Sequence, residues 1–245
     1  MIKEKNIKEE FVSTLSHEIR TPLTSIKGFC QKMLNSWDLI DDNKKKEFLS
    51  IILNQSQRLI NLVENVLNVA KIDSEFDKVI LSKVDINKVI KNCINIVSMN
   101  YKDFDFKLSE YPHELYSLCD SDKTQQILIN ILDNAAKYSR NSKKIEIKTS
   151  LKNDYCLVSI VNHGSYIKKE DKEKIFEKFY RVDSYITSSA QGSGLGLYIV
   201  KTLIDKMNGY IEVKSSKEEL KTEFLIYFPV YEVEKLTKNI GVQVV

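Results

Sequence analysis

Over residues 1–72 apolar side chains return every three or four positions, a spacing that leaves little besides long helices. Ile19, Leu23, Ile26, Cys30, Met33 and Trp37 step along by four and three, the stripe of a coiled-coil-type helix. After the polar run DLIDDNKKK a second stripe begins. It carries Ile52, Leu59 and Val66 on one seven-residue ladder and Leu62 and Val69 on another. Two such helices joined by a short polar turn form an antiparallel hairpin. A lone hairpin buries little apolar surface, so the pattern predicts a homodimer in which two hairpins close a four-helix bundle.

Near KIDSEF the pattern changes. FDFKLSE, ELYSLCD, KIEIKTS, YCLVSIVN, GYIEVKSS and TEFLIYFP read as strands, and DKTQQILINILDNAAKYS and LGLYIVKTLIDKM as helices. Helices interleaved with largely antiparallel strands predict an α+β sandwich. The chain is therefore expected to be multidomain: an all-α hairpin over residues 1–76, the sandwich over 77–230, and a tail over 231–245 with no assigned role.

Bulk properties exclude some functions. A net charge of +3, with lysines dispersed among acids, gives no basic face for nucleic acid. Cys30, Cys93, Cys119 and Cys156 lie far apart without metal-ligand or redox spacing, which suits free thiols in a reducing compartment. No apolar run approaches the roughly 20 residues that span a bilayer. The charged start MIKEKNIKEE lacks the apolar core of a signal peptide. The expected location is cytoplasmic, compatible with the cytoplasmic part of a membrane-bound parent.

Within the first helix, LSHEIRTPL sets His17 beside Glu18 and then places Pro22 where a backbone donor is needed. Pro22 leaves the carbonyl of Glu18 without its helical partner and is expected to bend the helix just beyond His17. With Leu23 and Cys30 in the core, His17, Thr21, Thr24 and Gly28 share an outer strip of mostly small residues. An exposed imidazole is a nucleophile near neutral pH, and a neighbouring carboxylate can take the proton from its other ring nitrogen. HEIRT lacks the second histidine of the zinc motif H-E-x-x-H, since Thr21 stands there.

A second group of residues points to phosphates. GSGLGL, Gly192 to Leu197, is a glycine-rich turn that leads into a helix, where backbone and helix N-terminus favour anions. It is not a P-loop, because no Lys-Ser/Thr follows. Asn130, Asn134 and Lys137, spaced by four and three, share one helix face. Two amide oxygens and an ammonium there can hold Mg2+ and a triphosphate.

FVSTLSHEIRTPLTSIKGF, NILDNAAKYS, IFEKFYRVD and GSGLGLYIVKTLI occur in that order. Together they resemble the H, N, F and second glycine boxes of the sensor histidine kinases of two-component systems, over Phe11 to Pro229. The resemblance implies a dimerisation and histidine-phosphotransfer hairpin followed by a Bergerat-type ATP-binding domain. It implies ATP and Mg2+ as cofactors, phosphotransfer to an aspartate of a response regulator receiver domain, and dephosphorylation of that regulator. By the same resemblance His17 is the phosphate acceptor, Glu18 the general base, and Thr21 the residue that positions water for dephosphorylation. Asn134 falls on the magnesium ligand, with Asn130 close to metal and phosphates. Lys137 and Tyr138 fall on nucleotide contacts, and Arg181 on an arginine that reaches the γ-phosphate. Gly192, Gly194 and Gly196, with Leu195 and Leu197, form the phosphate turn. RVDSYITSSAQ becomes a lid over ATP.

Three departures stand out. The first glycine box, usually D-x-G-x-G, reads NHGSY: Asn162 replaces the aspartate that binds the adenine amine, Gly164 is kept, and Tyr166 replaces the second glycine. Adenine recognition is expected to persist but weaken. EELKTEF lacks the glycines usual before that strand. No sensor domain is present, so the signal is expected from an upstream region or a bound partner. The alternatives are a non-catalytic or phosphatase-biased scaffold of the same fold and a gyrase-like ATP-gated clamp. The exposed histidine argues against the clamp.

Overall fold

The computed structural model describes residues 2–72, 78–140, 142–164, 166–182 and 193–231, with side chains from Val12 onward. The chain forms two compact units, Met1–Asp73 and Ser74–Val245.

The first unit is the hairpin. Helix α1, Ile2–Ser36, continues through Pro22. A 3-10 turn, Trp37–Leu39, leads to helix α2, Asp42–Ile72. Asp41 starts α2 by accepting from the backbone N–H groups of Asn43 and Lys44, which fills part of the first-turn donor deficit. The seam between the helices is made by Pro22, Met33, Phe48, Leu62, Val69 and Ile72, all buried. Phe29 meets Phe48 with ring centroids 5.1 Å apart. Of the predicted bundle stripes, Met33, Leu62 and Val69 are buried within this one chain, Leu59 and Val66 are half-buried, and Leu23 and Trp37 are exposed. A second apolar stripe on α2, adjacent to the seam, is open. Leu53, Ile60 and Leu67 are 69%, 50% and 54% exposed, and Leu49 and Val63 continue it.

The second unit is a layered α/β sandwich. Strand β1 (Ser82–Asp85) pairs antiparallel with β3 (Tyr116–Cys119) in a small two-stranded sheet. The main sheet comprises β2 (Asp105–Ser109), β4 (Lys144–Lys152), β5 (Tyr155–His163), β7 (Lys221–Pro229) and β6 (Tyr210–Ser216), in that spatial order. Its pairings are antiparallel except β2 with β4, so the sheet is mixed.

Helices α3 (Ile86–Ser98), α4 (Ser121–Tyr138) and α5 (Gly196–Lys206) supply the other layer. Alternation along the strands sends Ile145, Ile147, Val158, Ile160, Ile226 and Phe228 into the core, all at most 1% exposed. The α3 stripe Ile86, Val89, Ile90, Cys93 and Val97 buries a full face. At about 1.5–3 kcal/mol for each large apolar side chain, that face outweighs the helix's short length. Asp85 caps it by accepting from the Lys88 N–H at 3.1 Å. Asp120 caps α4 in the same way, accepting from Asp122 and Lys123, and also takes the Ile80 N–H.

The glycine-poor EELKTEF has a visible cost. Leu220 sits at φ 45°, in the left-handed region that costs a side-chain-bearing residue about 1–2 kcal/mol. Its carbonyl accepts from Gly164 N–H at 2.6 Å, so the turn before β7 is tied to the end of β5.

Candidate phosphoacceptor and nucleotide site

In the first unit His17, Thr21, Thr24 and Gly28 are all exposed along one strip of α1. Among the described residues a Cβ added at Gly28 meets nothing within 4 Å, so another backbone can approach there. The Thr21 hydroxyl donates to the His17 carbonyl at 3.1 Å. Its lone pairs remain as acceptors, because a hydroxyl has one donor and two acceptor sites. Glu18 turns the other way. It is half-buried and accepts from Arg58 on α2 at 2.9 Å. Arg58 was not singled out in the sequence, because an arginine forty residues away shows no periodic relation to a glutamate.

In the second unit the candidates Asn130, Asn134, Lys137 and Tyr138 lie along the C-terminal half of α4, and Asn130 meets the first residue of α5. Asn130 donates its amide N–H to the Gln126 carbonyl at 2.9 Å, which turns its side-chain oxygen the other way. That oxygen lies 3.2 Å from where a Cβ on Gly196 would stand, so the amide faces the first residue of α5. This hard oxygen, with Asn134 half-buried one turn on, suits Mg2+, which prefers oxygen donors. Among the described residues no cluster of three His, Cys, Asp or Glu is placed to bind a metal.

Lys137 pairs with Asp133 on its own helix, and Asp133 accepts from the Tyr101 hydroxyl at 2.7 Å. Burial and the Asp133 carboxylate together push the Tyr101 hydroxyl well above its ordinary pKa. Tyr138 and Arg181 are half-buried. Gly192 and the lid residues 183–191 lie outside the described residues.

The turn before α5 is clasped to the F-box segment. The Phe179 N–H donates to the Gly194 carbonyl at 3.0 Å. Gly194 sits at φ +69°, and a Cβ there would lie 2.7–2.9 Å from the Phe179 backbone. Phe179 itself has φ 62°, a rare value for a bulky residue. Leu195 is buried and anchors the turn, while Leu197 is half-buried on the first turn of α5.

Asn162 is 2% exposed on the core side of β5, in register with Thr222 of β7. Thr222 is equally buried, and its hydroxyl lies 2.9 Å from that of Ser215. Sequence reasoning missed Thr222. Its only signal was a polar residue at an inward position of a strand otherwise apolar on that side. Gly164 follows at φ 130°, and Tyr166 is half-buried. Cysteine chemistry finds no support in the sheet domain: burial pushes the Cys93 and Cys156 thiols up to about 12.

Comparison with known proteins gives a consistent picture. Residues 7–75 match the His Kinase A (phospho-acceptor) domain. Residues 119–232 match the histidine kinase-, DNA gyrase B- and HSP90-like ATPase family. The chain is 34% identical over 222 residues to signal transduction histidine-protein kinase ArlS of Staphylococcus haemolyticus, covering 91% of this chain and 49% of that protein. It is 36% identical over 212 residues to sensor protein kinase WalK of the same species, covering 85% and 34%. The chain thus spans between a third and a half of the length of these relatives. Among solved structures, histidine kinase ThkA in complex with response regulator protein TrrA matches with a TM-score of 0.74 at 26% identity, over 94% of this chain and 64% of that chain. Acinetobacter baumannii histidine kinase AdeS, at 23% identity, shares the fold with a TM-score of 0.68 over 88% of this chain and 98% of that one.

Proposed function

Because the chain belongs to the sensor histidine kinases of two-component systems, we propose that it is an ATP-dependent protein-histidine kinase core that phosphorylates itself on His17. It then passes the phosphoryl group to an aspartate of a response regulator receiver domain. The observation that carries this reading is the exposed His17, with Glu18 beside it, in one chain with the Asn130–Gly196 amide-and-turn site. We assign residues 1–76 to dimerisation and phosphotransfer and 77–230 to ATP binding, with the core in the cytoplasm and its signal arriving from an upstream region or a partner.

In this reading an imidazole nitrogen of His17 attacks the γ-phosphorus, the bond to ADP breaks, and Glu18 takes the proton from the other ring nitrogen. The turn Gly192, Gly194 and Gly196, with Leu195 and Leu197, receives the phosphates through its backbone and the α5 N-terminus. Asn134 and Asn130 would hold Mg2+, which neutralises phosphate charge when bound. Lys137, Tyr138 and Gly164 border the nucleotide, Arg181 reaches the γ-phosphate, and Thr21 orients the water that releases phosphate from the regulator. The direct test loads the chain with labelled ATP and then adds a purified receiver domain. Label should leave the chain and appear on the receiver. A chain that hydrolyses ATP but never passes label would instead be a clamp.

The homodimer reading is supported by the open α2 stripe. Leu53, Ile60 and Leu67 are apolar and uncovered within one chain, and a second hairpin offers matching surface. Ile60→Asp or Leu67→Asp should convert a dimer to monomer in light scattering at micromolar concentration, since a buried unpaired charge costs on the order of 3–5 kcal/mol. An unchanged mass would place the interface elsewhere.

Asn162 is the adenine-recognition candidate. A charged acceptor contributes about 1.5–3 kcal/mol against about 0.5–1.5 for a neutral one. Asn162→Asp should therefore tighten ATP binding by about 1 kcal/mol, roughly fivefold, and Asn162→Ala should weaken it. Because the side chain is 2% exposed, the aspartate variant should also melt lower without nucleotide. Calorimetry on the whole chain separates the two effects. Unchanged affinity in both variants would remove Asn162 from the base site.

A further inference from the structure

Glu18 is not simply a neighbour of His17. Successive residues on an α-helix diverge by about 100°; here His17 faces outward while Glu18 faces α2. There Arg58 Nη2 donates to Glu18 Oε2 at 2.9 Å, with the two side chains only 23% and 19% exposed. Arg58 lies on the α2 face that one and three turns later carries buried Leu62 and Val69. Arginine is a costly choice for that face. A half-buried ion pair contributes little net stability, and an apolar pair of similar volume would join the helices at least as well. Packing alone therefore does not account for it.

Resting on the reading of Glu18 as general base, we propose that Arg58 is a positioning residue for the phosphorylation step. It fixes the Glu18 carboxylate, one residue from the acceptor, in a single arrangement. An unanchored glutamate samples many rotamers, and each must be lost before the proton can move. Arg58 keeps its own proton throughout, because a guanidinium does not deprotonate in this range. The proton that leaves the His17 ring goes to Glu18 as the N–P bond forms and ADP departs. It then passes to water, with Arg58 still paired to the carboxylate.

The test is a double-mutant cycle on the whole chain with labelled Mg-ATP: wild type, Glu18→Gln, Arg58→Met and the double variant. Methionine keeps an unbranched stem for packing. Arg58→Met should slow autophosphorylation roughly 10- to 100-fold. The KM for ATP should stay unchanged, because the nucleotide residues lie in the other unit. On the Glu18→Gln background the same substitution should add little, and Arg58→Lys should restore part of the rate. Wild-type or faster labelling in Arg58→Met, a raised KM, or losses that multiply in the double variant would overturn the proposal. If Arg58→Met loses its helicity or dimer mass, Arg58→Lys replaces it in the cycle with the same expected non-additivity. Failure of the underlying reading looks different: Glu18→Gln alone would label at the wild-type rate, and the role of Arg58 would fall with it.

Discussion

His17→Gln should leave the chain with no phosphate after exposure to Mg-ATP, while nucleotide binding and melting temperature stay as in the wild type. Glutamine keeps the polarity and approximate size of the side chain but offers no nucleophilic ring nitrogen. Nothing else should change, because His17 is exposed on α1 and fills no part of the hairpin seam. Surface substitutions of this kind shift stability by at most about 0.5 kcal/mol. Filter-binding with labelled ATP, alongside calorimetry, checks both halves. Label that persists in the variant would move the acceptor elsewhere, and lost nucleotide binding would mean the substitution had disturbed more than a surface strip.

The second large effect is expected at Gly194. An alanine there would adopt the left-handed backbone at about 1–2 kcal/mol. Its Cβ would also press on the Phe179 backbone at 2.7–2.9 Å, where no flexible side chain can yield. Relief requires parting the Phe179–Gly194 hydrogen bond, worth about 0.5–1.5 kcal/mol. Gly194→Ala should therefore lower stability by about 2–3 kcal/mol and weaken ATP binding by more than about tenfold, as the phosphate turn shifts. Gly196→Ala makes the contrast. Among the described residues its Cβ would meet the Asn130 side chain alone, with the amide oxygen at 3.2 Å. It should disturb the metal-and-phosphate site with a stability loss below about 1 kcal/mol. Thermal melts with and without nucleotide distinguish the two. Equal behaviour of both variants would mean that the clasp does not shape the turn.

These effects divide along the line between what periodicity reveals and what it does not. The strands YCLVSIVN and TEFLIYFP were legible because their alternation matches the pleat, and the structure pairs them along their length. The long helices were legible for the same reason at a different period. β1 and α3 were not read as elements, although Ile86, Val89, Ile90, Cys93 and Val97 follow helical spacing behind an Asp85 cap. A four-residue strand beside a short helix gave too little repetition to stand out.

In the hairpin, periodicity marked apolar faces without saying what covers each one. Leu23 and Trp37 belong to the predicted bundle stripe and are exposed within this one chain, while Pro22 lies buried. The same limit applies to the site. Glycine and asparagine spacing pointed to phosphates, but the partners that hold those groups come from remote segments. Thr222 reaches Asn162 through strand register, Phe179 reaches Gly194 through a backbone bond, and Arg58 reaches Glu18 across the hairpin.

The most direct measurement is the position of phosphate on the wild-type chain after incubation with Mg-ATP. Digestion at alkaline pH followed by mass spectrometry of the peptide around SHEIR reads it. The expected result is one phosphoryl group on His17, kept in alkali and lost in acid. ATP hydrolysis with no phosphate on His17, or an acid-stable phosphate on a hydroxyl residue, would contradict the assignment of this chain as a histidine kinase.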